Sequence, residues 1–564
     1  MKFFISLVPV LLASSVLAAP AKVKRAGPTA TIASPAATIV GKTALGVDSF
    51  NSIPFAQPPT GSLRLKPPQP LDSPLGTFDA TIGAKSCPQF FFSTDEADWP
   101  TSILGELTNH PLFTIITNAG EDCLTLDIRR PAGTTAKDKL PVLFWIFGGG
   151  FELGGSGMYD GTPLVTSSMS LDMPIITVAI NYRVGGFGFL PGKEILADGS
   201  ANLGLLDQRL ALEWVADNIA AFGGDPEKVT IWGESAGSIS VFDQMILYDG
   251  DHTYKDKPLF RGAIMNSGGI VPADPVDGAK GQEIYDSVVA DAGCASAADT
   301  LECLRDLDYD VFLNAANSVP GILSYHSIAL SYLPRPDGTA LTQSPDVLAK
   351  AGKYARVPFI NGNQEDEGTL FALFQSNIST TAQVVDYFGQ YFFHSASEDT
   401  LNELIETYPN IWTYGSPFRT GIFNNWYPQF KRIAAILGDL TFTLTRRMLF
   451  QNAQDISPEV PSWSYLASYN YGLPVLGTGH GFDILQVFYG ILPNYASRSI
   501  HTYYFSFVYD LDPNSHRGDF MEWPQWGENK QMMQFYNNRG ALLDDDFRSE
   551  TYDFLRENVE SFYI

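Results

Sequence analysis

Residues 222–238 read FGGDPEKVTIWGESAGS, and the meaning of the serine near its end decides how the chain is read. Val229 to Trp232 is short, apolar and partly β-branched, as expected of a buried strand. The small residues from Ala236 onward suit a helix. A serine between Gly233 and Gly237 at such a junction has two readings. The glycines either punctuate a turn, or they strip side chains from a nucleophile elbow. In the elbow, side chains at either glycine would collide with the neighbouring strand and helix as the turn tightens. The turn then lifts the serine oxygen above the sheet edge, beside a helix N-terminus.

A nucleophilic serine needs donors for the oxyanion it creates. The backbone N–H of Ala236 is one candidate. WIFGGGF, residues 145–151, follows an apolar strand with three glycines and offers Gly149 and Gly150 as others. The serine also needs a base and a group to orient that base, in the chain order Ser, acid, His. Of the seven histidines, His394, His480, His501 and His516 fit that order. Only His480 lies among glycines, in VLGTGHGFDI, while His516 sits in a polar, turn-like stretch. The acid is expected at the end of a strand in VPFINGNQEDEGTLF, residues 357–371, which presents Glu365, Asp366 and Glu367. Residue chemistry leaves the choice among these three open.

The 564 residues are 45% apolar and 17% charged, enough to bury a large core. With 36 basic against 62 acidic residues, the net charge of -26 repels phosphate backbones and anionic membrane surfaces. Nucleic acid is therefore not an expected partner, and a neutral substrate is. Lys2 followed by the apolar run Phe3–Leu12 and the small-residue site near Ala18 reads as a signal peptide over 1–18. That run is too short for a transmembrane span and no later segment is a better one, so an exported chain without an integral membrane segment is expected. Lys24-Arg25 marks either a processing site that closes a propeptide over 19–25 or a chance dibasic pair. Cys87, Cys123, Cys294 and Cys303 suit an oxidising compartment, and sequence proximity favours Cys87–Cys123 and Cys294–Cys303 among three pairings. No Cys/His cluster suggests a metal, and Asn377-Ile378-Ser379 is a glycosylation sequon.

The apolar runs at 142–147, 175–180, 229–232, 262–265 and 357–360 read as parallel strands buried on both faces. Between them, Asp207 to Ala221 has an apolar stripe through Leu210, Leu212, Trp214, Val215 and Ile219, with Gly223-Gly224 able to end a helix. This alternation predicts a layered α/β fold. Residues 380–450 read as mostly helical and as an elaboration on the sheet.

These residues resemble the cholinesterase-like carboxylesterase/lipase family. FGGDPEKVTIWGESAG matches its nucleophile signature, and EDCLTLDI, residues 121–128, matches its second, cysteine-bearing one. SANLGLLDQRLALEWVADNIAAFGGDP, SYLPRPDG, GNQEDEGT, GSPFRTGI with YPQFKRIAAILGDL, and DPN after Leu511 are similar to secreted fungal lipases of the Candida rugosa type. The chain departs from them at Gly479, where phenylalanine is expected. The resemblance implies an α/β-hydrolase fold with a large, mostly parallel sheet flanked by helices, forming one catalytic domain over 26–564. It implies Ser235 as nucleophile, Glu367 as acid, His480 as base, and Gly149, Gly150 and Ala236 as oxyanion donors, with no metal or organic cofactor. It also implies the same two disulfides. A triacylglycerol lipase acting at a lipid–water interface is the expected function. A sterol esterase, a short-chain carboxylesterase and a non-catalytic binding member of the family are the alternatives. The segment within 88–122 is unusually apolar, and Asp98 stands ready to cap a short helix bearing Trp99, Ile103, Leu104 and Leu107. The segment is either a helix permanently docked on the core or, as the resemblance implies, a lid tethered by a disulfide.

Overall fold

The computed structural model describes residues 27–83, 85–91, 116, 118–490 and 493–564. The leader segments 1–18 and 19–25 lie outside these residues, as does most of the proposed lid with Asp98, Trp99, Ile103, Leu104 and Leu107.

An 11-stranded sheet forms the centre. Its strands are β1 (Lys42–Ala44), β2 (Val47–Pro54), β3 (Thr125–Pro131), β4 (Leu140–Ile146), β5 (Ile176–Ile180) and β6 (Gly224–Glu234), followed by β7 (Gly262–Asn266), β8 (Phe359–Gln364), β9 (Ser462–Ala467), β10 (Gln531–Phe535) and β11 (Gly540–Asp544). Across the sheet the order is β11-β10-β9-β8-β7-β6-β4-β5-β3-β2-β1. The stretch from β10 through β5 is parallel throughout. Antiparallel pairs close both edges.

The five apolar runs all fall in the parallel region. β5 (ITVAI) and β7 (GAIMN) are buried at every position, which is why these strands read as continuous apolar runs and not as alternating patterns. β1, by contrast, is exposed at all three residues and carries no periodic signal.

Helices flank the sheet. α1 spans Leu203–Asn218, continues as a 3₁₀ turn over Ile219–Phe222, and stops at Gly223 with φ 89°. A left-handed residue at that point is where glycine ends a helix without steric cost. The helix starts four residues before Asp207, because Asp207 is a buried anchor and not an N-terminal residue. Its carboxylate accepts two hydrogen bonds from the Arg183 guanidinium, at 2.7 and 2.8 Å, and one from the Arg183 backbone N–H. That pair ties the segment after β5 to α1.

α2, Ala236–Gly250, leaves Ser235 directly and packs on β6 and β7, with helical geometry lost at Leu247. Within 380–450 the helices are Thr381–Tyr391, Glu398–Glu406, α3 (Phe430–Gly438) and the beginning of α4 (Leu444–Ile456). α3 presses against the turn after β8. Disulfides join Cys87 to Cys123 and Cys294 to Cys303. Asn377 is exposed in a turn. No helix among the described residues is long and apolar enough to cross a membrane.

Candidate active site

Ser235 stands between the end of β6 and the start of α2 with φ 59° and ψ -127°. A non-glycine residue rarely occupies this region, and holding it there costs about 1–3 kcal/mol. The surroundings fix the strain in place. The Ser235 N–H donates to Asn266 O at 2.9 Å, and the Ser235 carbonyl accepts from Ile239 N at 2.9 Å. The glycines on either side are required by space. A Cβ on Gly233 would lie 2.2 Å from Gly237 O, and one on Gly237 would lie 2.1 Å from Ile146 O. The turn can be this tight only because both side chains are missing.

The acid comes from the turn after β8. Glu367 opens a 3₁₀ turn, Glu367–Thr369, whose Gly368 sits so close to α3 that a Cβ would meet Ala434 O at 1.9 Å. One Glu367 oxygen accepts the Gln364 N–H at 2.6 Å, which sets the rotamer. The other lies 2.6 Å from Nδ1 of His480. Nε2 of the same ring lies 2.7 Å from Ser235 Oγ. All three side chains are buried, Ser235 at 5% exposure and the other two at 1%. Phe371 and Phe442 pack against the imidazole, with ring centroids 5.0 and 4.6 Å away.

The neighbouring acids have other partners. Glu365 pairs with Arg419 near the surface. Asp366 points away from the histidine ring but ties its loop down. Its carboxyl accepts the Thr478 N–H at 2.9 Å, the Phe418 N–H at 2.8 Å and the Ser416 hydroxyl at 3.0 Å, and its own N–H donates to Thr478 O. Burial, and then the charge of Glu365, push the Asp366 carboxyl up to about 7.

The other candidate histidines lie elsewhere. His394 caps Gln390 O in an exposed position, and His516 pairs with Asp510 at the surface. His501 is buried between Ser167 Oγ and Val487 O, and burial lowers its pKa.

Two acids close to the ring carried no signal that the sequence reading used. Glu234 Oε1 is 3.5 Å from His480 Nε2, and burial, reinforced by the charges of Asp483 and Glu367, holds its carboxyl well above the ordinary range. Asp483 accepts from Asn266 Nδ2 at 2.9 Å, and burial pushes it up to about 6. Their positions, directly before the serine and three after the histidine, are the only sequence clue to either.

Beside Ser235 lies a narrow apolar cavity bordered by Gly150, Ala236, Ile239, Leu333 and Phe371. A second narrow apolar cavity shares Ile328, Thr441 and Ile564 with it. Gly149 and Gly150 have φ of 119° and 63°, so glycine is needed at both. Neither of their N–H groups is hydrogen-bonded to the described residues, and Ala236 N–H is the unpaired first donor of α2. The arrangement therefore offers a hydroxyl on a strained turn, an imidazole hydrogen-bonded to it, a carboxylate behind the imidazole, and free N–H groups next to an apolar space. Among the described residues, no group of three or more His, Cys, Asp or Glu side chains is placed to hold a metal ion.

Comparison with known proteins places the chain among ester hydrolases. The model of the carboxylesterase family matches residues 30–555. A "secreted lipase 1" of Botryotinia fuckeliana is 66% identical over 97% of this chain and 95% of its own length. A "secreted triacylglycerol lipase" of Gibberella zeae is 60% identical over 95% of this chain and 91% of its own. Among solved structures, that of Aspergillus niger EstA superposes with a TM-score of 0.81 at 28% identity, covering 96% of this chain and 99% of that one.

Proposed function

The chain belongs to the carboxylesterase family and is a secreted carboxylic ester hydrolase of α/β-hydrolase fold, and on that premise we propose that it is a triacylglycerol lipase working through Ser235, His480 and Glu367. The observation that carries the proposal is the continuous hydrogen-bonded series Glu367–His480–Ser235 opening on an apolar cavity.

The steps follow from the geometry. His480 Nδ1–H donates to the Glu367 carboxylate, which leaves Nε2 to accept the Ser235 proton. As Oγ attacks the ester carbonyl, Glu367 stabilises the imidazolium and keeps the ring's tautomer. The N–H groups of Gly149, Gly150 and Ala236 take the oxyanion. Collapse of the tetrahedral species breaks the bond to the alkoxy oxygen, and His480 returns its proton to the leaving alcohol. Water, deprotonated by His480, then attacks the acyl-enzyme, and the acid leaves as Ser235 regains its proton.

The apolar walls beside Ser235 suit an acyl chain, and a second apolar cavity lies against Ile328 and Thr441 of the same wall. Action at a lipid–water interface is part of the same proposal. The test is a hydrolysis series over acyl length, measured above and below each substrate's solubility limit. A lipase favours emulsified long-chain triacylglycerols. Preference for dissolved short esters would make it a carboxylesterase, and preference for sterol esters a sterol esterase.

A further inference from the structure

The helix that leaves Ser235 carries an acid into the apolar cavity. Ser235, Ile239 and Asp243 recur every four residues, so they share one face of α2, and all three line the cavity. Asp243 is fully buried. Neither of its carboxyl oxygens has a hydrogen-bond partner among the described residues, and it belongs to no ion pair there. Apart from Ser235 and Thr441, the other residues bordering the same space, including Val271, Leu333 and Pro345, are apolar. Burial alone holds the carboxyl well above its ordinary range. Burial thus favours its uncharged form, which carries one donor and one acceptor. A buried polar group without a partner is destabilising, and its persistence calls for a ligand that completes it.

We propose that Asp243 is a specificity-determining residue whose carboxyl hydrogen-bonds a hydroxyl borne part-way along the acyl chain, so that esters of mid-chain hydroxy fatty acids are preferred substrates. The inference rests on the reading of Ser235 as nucleophile and of the adjoining cavity as the acyl site. A hydroxyl is the matching group, because it donates to the acid's carbonyl oxygen while accepting the acid's O–H. A methylene at that point leaves both unmade. Position follows from helix geometry. Eight residues at 1.5 Å rise separate Asp243 from Ser235 by about 12 Å, the reach of roughly ten carbons of an extended chain.

The test uses the full-length protein and two esters in one solution, methyl 10-hydroxyoctadecanoate and methyl octadecanoate, with the ratio of kcat/KM read from the two acids released. The expected ratio favours the hydroxylated ester by roughly 5- to 30-fold, the equivalent of one well-made buried hydrogen bond. Asp243→Leu is expected to bring the ratio to one or below, and Asp243→Asn, which keeps a donor and an acceptor, to retain part of it. Both esters are read on the same active molecules, so partial loss of folded protein cancels. A ratio near one in the unmodified protein, or an unchanged ratio in Asp243→Leu, overturns the proposal. If Asp243→Leu yields no active protein, moving the hydroxyl along the chain decides the matter on the unmodified protein. A preference peaking near the tenth carbon supports Asp243, and a flat series overturns it. Hydrolysis of both esters by Ser235→Ala at the unmodified rate would instead sink the serine-esterase reading, whatever the ratio.

Discussion

Glu367→Gln is the substitution that most sharply tests how the site is built. The side chain keeps its shape and its contact with Gln364 N–H, but the negative charge 2.6 Å from His480 Nδ1 is gone. In the ground state that charge faces a neutral ring, whereas in the transition state it faces an imidazolium. With charge centres about 4 Å apart and an effective dielectric near 20, the lost attraction is about 4 kcal/mol. That corresponds to roughly three powers of ten in rate. The assay is kcat/KM on a soluble ester, alongside the thermal midpoint to verify folding. Glu365→Gln is the companion, since it removes a carboxylate only two residues away but paired with a half-exposed Arg419. Exposed pairs of that kind contribute at most about 1 kcal/mol, and none of it bears on the ring. A Glu367→Gln enzyme within tenfold of the parent, or a Glu365→Gln enzyme as impaired as Glu367→Gln, would refute the assignment of the acid.

Ser235→Ala and His480→Ala are each expected to abolish hydrolysis while leaving a folded protein, and an organophosphonate is expected to label Ser235, as peptide mapping would reveal. Gly237→Ala, whose Cβ would lie 2.1 Å from Ile146 O, is expected to lower stability by more than about 3 kcal/mol in denaturant unfolding, because backbone cannot yield there. Asp545→Asn is expected to cost about 3–5 kcal/mol, since it leaves Arg446 buried without the carboxylate that both of its Nη atoms reach at 2.7 Å. The fifth expectation concerns pH. Burial raises Glu152, a fully buried acid that accepts the Ile322 N–H, from 4.5 to about 8 and Asp366 from 3.8 to about 7, so each binds more protons folded than unfolded. Their contribution is complete below the unfolded values and is lost as pH rises through the folded ones. Denaturant midpoints should therefore fall between about pH 5 and pH 8, and Glu152→Gln should flatten that slope. A parent profile that rises over this range would contradict the assignment.

Much of this molecule is legible in its sequence because the decisive constraints are local. The elbow needs two glycines around one serine, and the need is visible in 17 letters. The parallel strands show as apolar runs because both of their faces are covered. What stayed illegible depends on register between distant segments. Glu365, Asp366 and Glu367 are neighbours in sequence, yet they point respectively at Arg419, at the backbone of Phe418 and Thr478, and at His480. That difference is set where β8 ends against β9 and where α3 presses on Gly368, and no pattern in the three letters encodes it. The outer strands β1 and β2 carry no signal for the opposite reason. β1 is wholly exposed, and β2 is buried at six of its eight positions but mixes polar with apolar residues, so neither yields a period. Asp243 gives no signal in the sequence because one acid in a helix ordinarily faces water, and only the packing shows that this one does not.

The acids around His480 follow one electrostatic rule. Glu234, Glu367, Asp366 and Asp483 are all buried within a few residues of the serine, the acid turn or the histidine, and no lysine or arginine pairs with Glu234, Glu367 or Asp483 among the described residues. Several ionised carboxylates crowded into a dry space would repel one another strongly. Burial raises Glu234 well above the ordinary range and Asp483 to about 6, and each feels the charge of Glu367 as a further upward push. Negative charge is thus disfavoured on the flanking acids as long as Glu367 carries it. Asp483 keeps its hydrogen bond from Asn266 Nδ2, and Glu367, aligned with Nδ1, is the group whose charge an imidazolium would meet. Replacing Glu234 by Gln, a near-copy of its neutral form, should therefore cost far less than the same change at Glu367. A loss of three powers of ten in kcat/KM from Glu234→Gln would mean that the charge resides on both acids, and that the histidine is balanced from two sides.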